Sequence, residues 1–284
     1  MNKDVMDFLN LKNMDQLDKK TKPQFTYQID PYGYYSTEYI GHPLKIDGPE
    51  VIYKINSDGY RTKHFAPFDN SKETILFAGC SYTFGEGLPN KYTWPYLVSE
   101  NFENVEYYNI GYMGMSINHI IKNVYSFIRS YGKPKNLFIC FPDLGRNIYY
   151  SERMKSYIKV SIGAGAIASG DKDIKKYNLD FISENNLLLA TTQISALEDY
   201  CSEAGINFIW TTWQENDYLI YKNIEFKFLI DPENIKLIST EYSNNENLPY
   251  WEFAKDGAHQ GVSLTKNISR VFIEEIKRRD EKKD

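Results

Sequence analysis

The stretch TILFAGCSYTFGEGL, residues 74–88, carries an apolar, strand-like run into Gly79, Cys80 and Ser81, with Gly85 and Gly87 close behind. A short apolar run that stops at glycine is the pattern of a buried strand meeting a tight turn. In open parallel sheets ligands sit outside the carboxyl ends of the strands, and Ser81 is expected at that edge. A Walker loop is excluded, because Glu86 follows Gly85 where the lysine belongs, and no GxGxxG fingerprint is present. The GxSxG elbow fails as well, since Thr83 stands at its second glycine. Taken alone, the stretch leaves two readings open: a nucleophilic serine, or a glycine turn that happens to contain a hydroxyl.

Outward from this strand the chain alternates. VEYYNIG (105–111), NLFICF (136–141) and INFIWTTW (206–213) read as further strands, and IKLIST (235–240) is a candidate fifth. Between and after them, TWPYLVSENF (93–102), SINHIIKNVYSFIRSYG (116–132), NNLLLATTQISALEDYCSEAG (185–205) and GVSLTKNISRVFIEEIKRRDE (261–281) read as helices. The second of these has Ser116 as its cap and Gly132 as its stop. Strand–helix alternation with short connections predicts a parallel sheet covered on both faces. Residues 71–284 are therefore expected to form one α/β domain, with an irregular insertion at about 145–184 that contains SIGAGAIASG. Ahead of it, residues 26–70 form a turn-rich, aromatic lead-in of short strands and loops packed on the core. Residues 1–25 form a polar segment in which Val5, Phe8, Leu9 and Leu17 suit a short amphipathic helix.

Composition narrows the function classes. The 33 basic and 38 acidic residues of the 284 are interspersed, with a net charge of −5, which is not the basic footprint of a nucleic-acid binder. The terminal run Lys277–Lys283 is mixed in sign and reads as the solvated end of a last helix. Cys80, Cys140 and Cys201 are far apart and form no CxxC pair, so neither a disulfide framework nor a zinc site is expected. The first 22 residues lack an apolar core and a small-residue cleavage pattern, and no segment approaches the ~18 apolar residues of a membrane span. The expectation is a soluble, cytoplasmic protein. Aromatic richness (24 Tyr and 16 Phe) suits planar or sugar-like ligands, but equally suits filling half-buried positions.

A serine needs a base, and the base needs an orienter. Of the four histidines, His259 closes KDGAHQG three residues after Asp256, directly before the last helix pattern. On a helix-like turn, residues three apart face the same way. His119 sits inside a helix pattern, and His42 and His64 lie in the lead-in.

GCSYTFGEGL, IGYMG and DGAH, in that order, resemble the blocks of the SGNH (GDSL-type) serine hydrolases, a likeness spanning residues 74–275. It implies a flavodoxin-like three-layer α/β/α sandwich and hydrolysis of small esters without metal or cofactor. It also implies Ser81 as nucleophile, His259 as base and Asp256 as orienter. The oxyanion hole would use the N–H of Ser81 and that of Gly111 or Gly114, with Gly111 favoured because it directly follows the second strand. Two departures stand out. Cys80 replaces the aspartate usual before the serine, and FPDLGRN replaces the block whose asparagine completes the oxyanion hole. Asn147 could supply that amide from a few residues later, or Asp143 takes the place and removes a donor. The expected partner is a small-molecule or glycan ester, with a short-chain or carbohydrate O-acetyl ester foremost. Acyl transfer to a sugar and a non-catalytic glycan-binding role are the alternatives. INSDGYRT also resembles a segment that precedes the hydrolase block in some members; as a bare sequence it is a tight Asp-Gly turn.

Overall fold

The structure, a computed structural model, describes residues 25–29, 34–39, 51–56, 58–151, 156–160, 184–213, 220–230, 254, 259 and 261–281. In chain order the strands and helices are β1 (Phe25–Ile29), β2 (Tyr34–Tyr39), β3 (Ile52–Lys54), β4 (Glu73–Gly79), α1 (Ser81–Phe84), α2 (Trp94–Ser99), β5 (Val105–Asn109), α3 (Ile117–Tyr131), β6 (Asn136–Phe141), β7 (Asn147–Ser151), β8 (Ser156–Val160), α4 (Glu184–Ala204), β9 (Asn207–Thr212) and α5 (Val262–Asp280). A single 3-10 turn, Asn90–Tyr92, leads into α2.

Four strands make the central sheet in the order β5-β4-β6-β9, and every pairing in it is parallel. β6 is buried along its whole length, which fits a continuous apolar strand at the centre of a doubly covered sheet. Side chains of successive strand residues alternate between the faces, and the core splits accordingly. Leu76, Ala78, Leu137, Ile139, Phe208 and Trp210 pack with α3 and α4 through Val124, Phe127, Ile194 and Leu197. Ile75, Phe77, Phe138 and Ile209 pack on the other side with α2 and α5 through Trp94, Val98, Ile268 and Phe272. Trp94 and Phe272 stack there with ring centroids 4.7 Å apart. The result is the expected three-layer α/β/α sandwich.

The insertion is more regular than its sequence suggested. β7 and β8 form an antiparallel pair with Asn147 opposite Val160 and Ser151 opposite Ser156. Upstream, β1, β2 and β3 form a separate antiparallel sheet. Val51, Tyr53 and Tyr60 are buried with the α3–α4 side of the core. The helix read within residues 1–22 and the candidate strand 235–240 lie outside the described residues. Among the described residues no helix is long and apolar enough to cross a membrane.

One buried carboxylate helps hold this core. Glu198 of α4, 3 % exposed, accepts from Trp210 Nε1 at 2.8 Å and from the N–H groups of Lys227 and Phe228, both at 2.9 Å. It thereby ties α4 to β9 and to the segment that follows. Removing it leaves three donors without an acceptor, and a buried donor left unpaired costs about 1–3 kcal/mol. Glu198→Ala is expected to lower the unfolding free energy by roughly 3 kcal/mol or more, at least about 1 kcal/mol for each of the orphaned donors. Urea titration followed by Trp fluorescence measures it, and a shift below 1 kcal/mol contradicts the assignment.

Candidate active site

The topology marks one edge of the sheet. After β4 the chain runs through α2 on one face to β5; after β6 it runs through α4 on the opposite face to β9. Connections that leave adjacent strands toward opposite faces open a crevice at the carboxyl ends of those strands. That crevice lies between β4 and β6, where Gly79 pairs with Cys140. Ser81 lies two residues past the end of β4 and opens α1, with Cys80 between them.

The turn that carries Ser81 needs its glycines. Gly79 has φ +155°, and a Cβ on it would meet Thr83 Oγ1 at 1.9 Å and Cys140 O at 2.7 Å. Gly85 closes α1 in the left-handed region at φ 77°, donating its N–H to Ser81 O, and a Cβ there would meet Thr93 Cγ2 at 2.2 Å. Neither position tolerates a side chain without moving the serine.

Three partners from elsewhere grip this turn. Arg61, 4 % exposed, donates to the carbonyls of Phe84 (3.1 Å), Gly85 (2.7 Å) and Leu88 (2.8 Å), and its guanidinium lies 4.4 Å from the Tyr53 ring centre. Tyr53 Oη in turn accepts from Gly87 N at 2.6 Å. The Asp-Gly turn of the lead-in is also present, with Gly59 at φ 85° and its N–H bonded to Asn56 O at 3.0 Å; that turn delivers Arg61 to the carbonyls. Asn109, at the end of β5, donates Nδ2 to Thr83 O at 2.8 Å and accepts from Gly111 N at 2.9 Å.

That last bond bears on the oxyanion hole. The Gly111 N–H is engaged by Asn109 within the protein, and a Cβ on Gly111 would meet Thr83 Cβ and Cγ2 at 2.7 Å. Gly111 lets the segment after β5 approach α1 closely, with its N–H already engaged by Asn109. The other glycine of that segment, Gly114, lies at φ 68°, and its N–H has no partner among the described residues. Asn147, the expected amide donor of the third block, opens β7.

Ser81 is 3 % exposed. Its Oγ lies 4.0 Å from Cys80 Sγ, and Cys80 is fully buried. Burial pushes the Cys140 thiol behind it well above the usual range, with Cys80 adding to the shift; at neutral pH Cys140 stays a neutral packing group. Tyr82 packs on Trp213 in a tilted arrangement with centroids 4.7 Å apart, and meets the His259 ring edge-on at 5.3 Å. His259 is thus brought to the residue next to the serine, and its O accepts from Ala254 N at 2.9 Å. Its Nε2 faces Glu86 Oε2 at 3.5 Å, and no hydrogen bond joins it to Ser81 Oγ among the described residues. Glu86 is itself buried. Asp256 lies outside the described residues, as does His42. His119 is buried in α3 beside Ser116 Oγ, at 3.4 Å, and His64 is exposed; neither is at this edge. Beyond β6, Asp143–Arg146 forms a turn in which Arg146 Nε donates to Asp143 Oδ2 at 2.7 Å. The Arg146 guanidinium lies 5.6 Å from the Trp213 ring centre.

Glu86, Asn109 and Arg146 were not read from the sequence as site residues. For Asn109 the signal was an amide ending an aromatic strand just before a glycine; Glu86 showed only as a missing Walker lysine. Among the described residues no group of His, Cys, Asp and Glu is arranged to hold a metal ion. A groove of about 850 Å³ between α3 and α4, lined by Lys122, Tyr125, Arg129 and Tyr200 among others, takes no residue from the Ser81 turn.

No protein-family model matches the sequence, and no curated protein matches it. Solved structures with a similar chain path include a protein of the lipolytic G-D-S-L family from Desulfitobacterium hafniense DCB-2, at 15 % identity and TM-score 0.39, covering 70 % of this chain and 99 % of that one. A lipolytic G-D-S-L family member from Veillonella parvula DSM 2008 has 14 % identity and TM-score 0.31, covering 71 % and 96 %. The psychrotrophic esterase EstA from Pseudoalteromonas sp. has 13 % identity and TM-score 0.39, covering 73 % and 98 %.

Proposed function

We propose that the protein is a serine hydrolase of small esters, acting through Ser81, His259 and Asp256. The observation that supports this most is the position of Ser81 on a clamped turn at the crevice between β4 and β6, with His259 packed on the neighbouring Tyr82. In the reaction Ser81 Oγ attacks the ester carbonyl as its proton passes to His259 Nε2. The carbonyl electrons move to oxygen, and the N–H groups of Ser81 and Gly114 receive the resulting oxyanion. Collapse breaks the bond to the alkoxy oxygen, which leaves with the proton from Nε2. Water then attacks the acyl-enzyme by the same route and returns Ser81. Asp256 is assigned to Nδ1, where it orients the ring and stabilises the imidazolium.

The contact with Glu86 adds a step. His259 Nε2 must turn from the Glu86 carboxylate toward Ser81 Oγ before it can take the proton, and catalytic hydrogen bonds commonly close only in the substrate complex. The substrate class is a short-chain ester, with carbohydrate O-acetyl esters foremost; acyl transfer to a sugar uses the same acyl-enzyme. The His259–Glu86 contact also favours a second reading, an SGNH-like fold that binds glycans without catalysis.

Labelling with a serine-reactive fluorophosphonate separates the two. The protein is expected to label once, at Ser81, and the Ser81→Ala variant not at all. A folded native protein that takes no label overturns the hydrolase reading.

A further inference from the structure

We infer that Arg146 is a catalytic residue that receives the oxyanion formed at Ser81, through the terminal nitrogens of its guanidinium. This rests on the proposed nucleophilic role of Ser81. The crevice between β4 and β6 has two walls. Ser81 stands on the β4 side, and the first turn after β6, residues 143–146, stands on the other. Arg146 is the cation which that turn presents.

Its geometry suits the task. The turn is closed twice, by Arg146 N to Asp143 O at 3.2 Å and by Arg146 Nε to Asp143 Oδ2 at 2.7 Å. The guanidinium is further set against the Trp213 ring, which packs on Tyr82, the residue after the serine. With Nε held, Nη1 and Nη2 have no hydrogen-bond partner among the described residues. The side chain is only 17 % exposed, so it is largely desolvated without being sealed from the crevice. Burial alone would pull its pKa down, but Cys80, next to Ser81, and then Asp143 raise it above the usual value. The same pair removes an electrostatic objection. An uncompensated Asp143 would repel an oxyanion, and the Arg146 guanidinium offsets that charge.

His259 and Arg146 approach the Tyr82–Trp213 pair from different rings: His259 packs on Tyr82 and Arg146 on Trp213. That separation suits a base working on the alkoxy side of the reacting carbon while a cation receives the carbonyl oxygen. In the step itself the Ser81 Oγ–carbon bond forms, the Oγ proton goes to His259 Nε2, and the carbonyl π pair becomes the oxyanion lone pair facing Arg146. Its preorganised donors act in the transition state and little in the ground state, so kcat rather than KM should carry the effect.

The test uses the full chain and a neutral aryl acetate, with Arg146→Ala, Arg146→Gln and Arg146→Lys checked for native circular dichroism. Losing one oxyanion donor lowers kcat by about 10²–10³-fold. That loss is expected for Arg146→Ala and Arg146→Gln with KM little changed, a smaller one for Arg146→Lys, and partial rescue of Arg146→Ala by added guanidinium. Native-like kcat in a folded Arg146→Gln variant overturns the role of Arg146 while Ser81 still labels. A change confined to KM, and only for esters that carry a carboxylate, also overturns it and makes Arg146 a substrate-anion contact. If the native protein neither labels nor turns over ester, the nucleophile reading fails and this inference falls with it.

Discussion

Ser81→Ala is expected to lower kcat/KM on an aryl acetate by on the order of 10⁴-fold or more, the scale on which a catalytic serine is lost in other hydrolases. The argument is chemical. Without Oγ there is no acyl-enzyme, and His259 is left to activate water alone. Residual turnover would come only from donors that still bind the oxyanion. The fold should survive, because Ser81 Oγ has only a long contact with Cys80 Sγ, whereas the Ser81 backbone carbonyl, which closes α1, is kept. Activity should therefore vanish with little change in melting temperature. Steady-state kinetics beside a thermal melt checks both. An active Ser81→Ala protein would point to a different nucleophile.

Arg61→Ala should show the opposite balance, with loss of stability and activity together. Its guanidinium serves three carbonyls in the loop directly after Ser81 and fills space against Tyr53 and Phe84. Truncation leaves those carbonyls unpaired and a cavity beside the Phe84 ring. Each buried carbonyl left unpaired costs about 1–3 kcal/mol, so a loss of roughly 3 kcal/mol or more is expected. Arg61→Lys should recover only part of it, because a single ammonium cannot reproduce the planar fork. Denaturant unfolding gives the first number and the labelling rate of Ser81 the second. An Arg61→Ala protein as stable as the parent would mean the clamp contributes nothing.

The fold was largely legible because its signals are local. β4, β5, β6 and β9 are apolar or aromatic runs bounded by polar residues or glycine, and the helices α3, α4 and α5 fall within a residue or so of their expected limits. The hairpin β7–β8 escaped because its halves, NIYYS and SYIKV, are short and sit beside a small-residue stretch with no strong period. The site was legible only in part. The place of Ser81 just past β4 could be read because a strand and its turn are contiguous. Arg61 could not be decided, because a local motif reveals the Asp-Gly turn while the guanidinium's acceptors lie 23 to 27 residues away. Asn109, Glu86 and Arg146 acquire meaning only when β5, the Ser81 turn and the end of β6 meet, a tertiary fact that no short window contains.

The grip on the Ser81 turn has a consequence for the order in which the protein matures. Arg61 is made before the serine, Asn109 after it, and the β6 turn and His259 later still. Contacts between distant segments require loop closure before they stabilise anything. A chain growing from its N-terminus can therefore form the serine's own helical turn early, whereas the constellation around it closes only once the segment beyond β9 has emerged. Partly synthesised chains would carry Ser81 without His259, its proposed base.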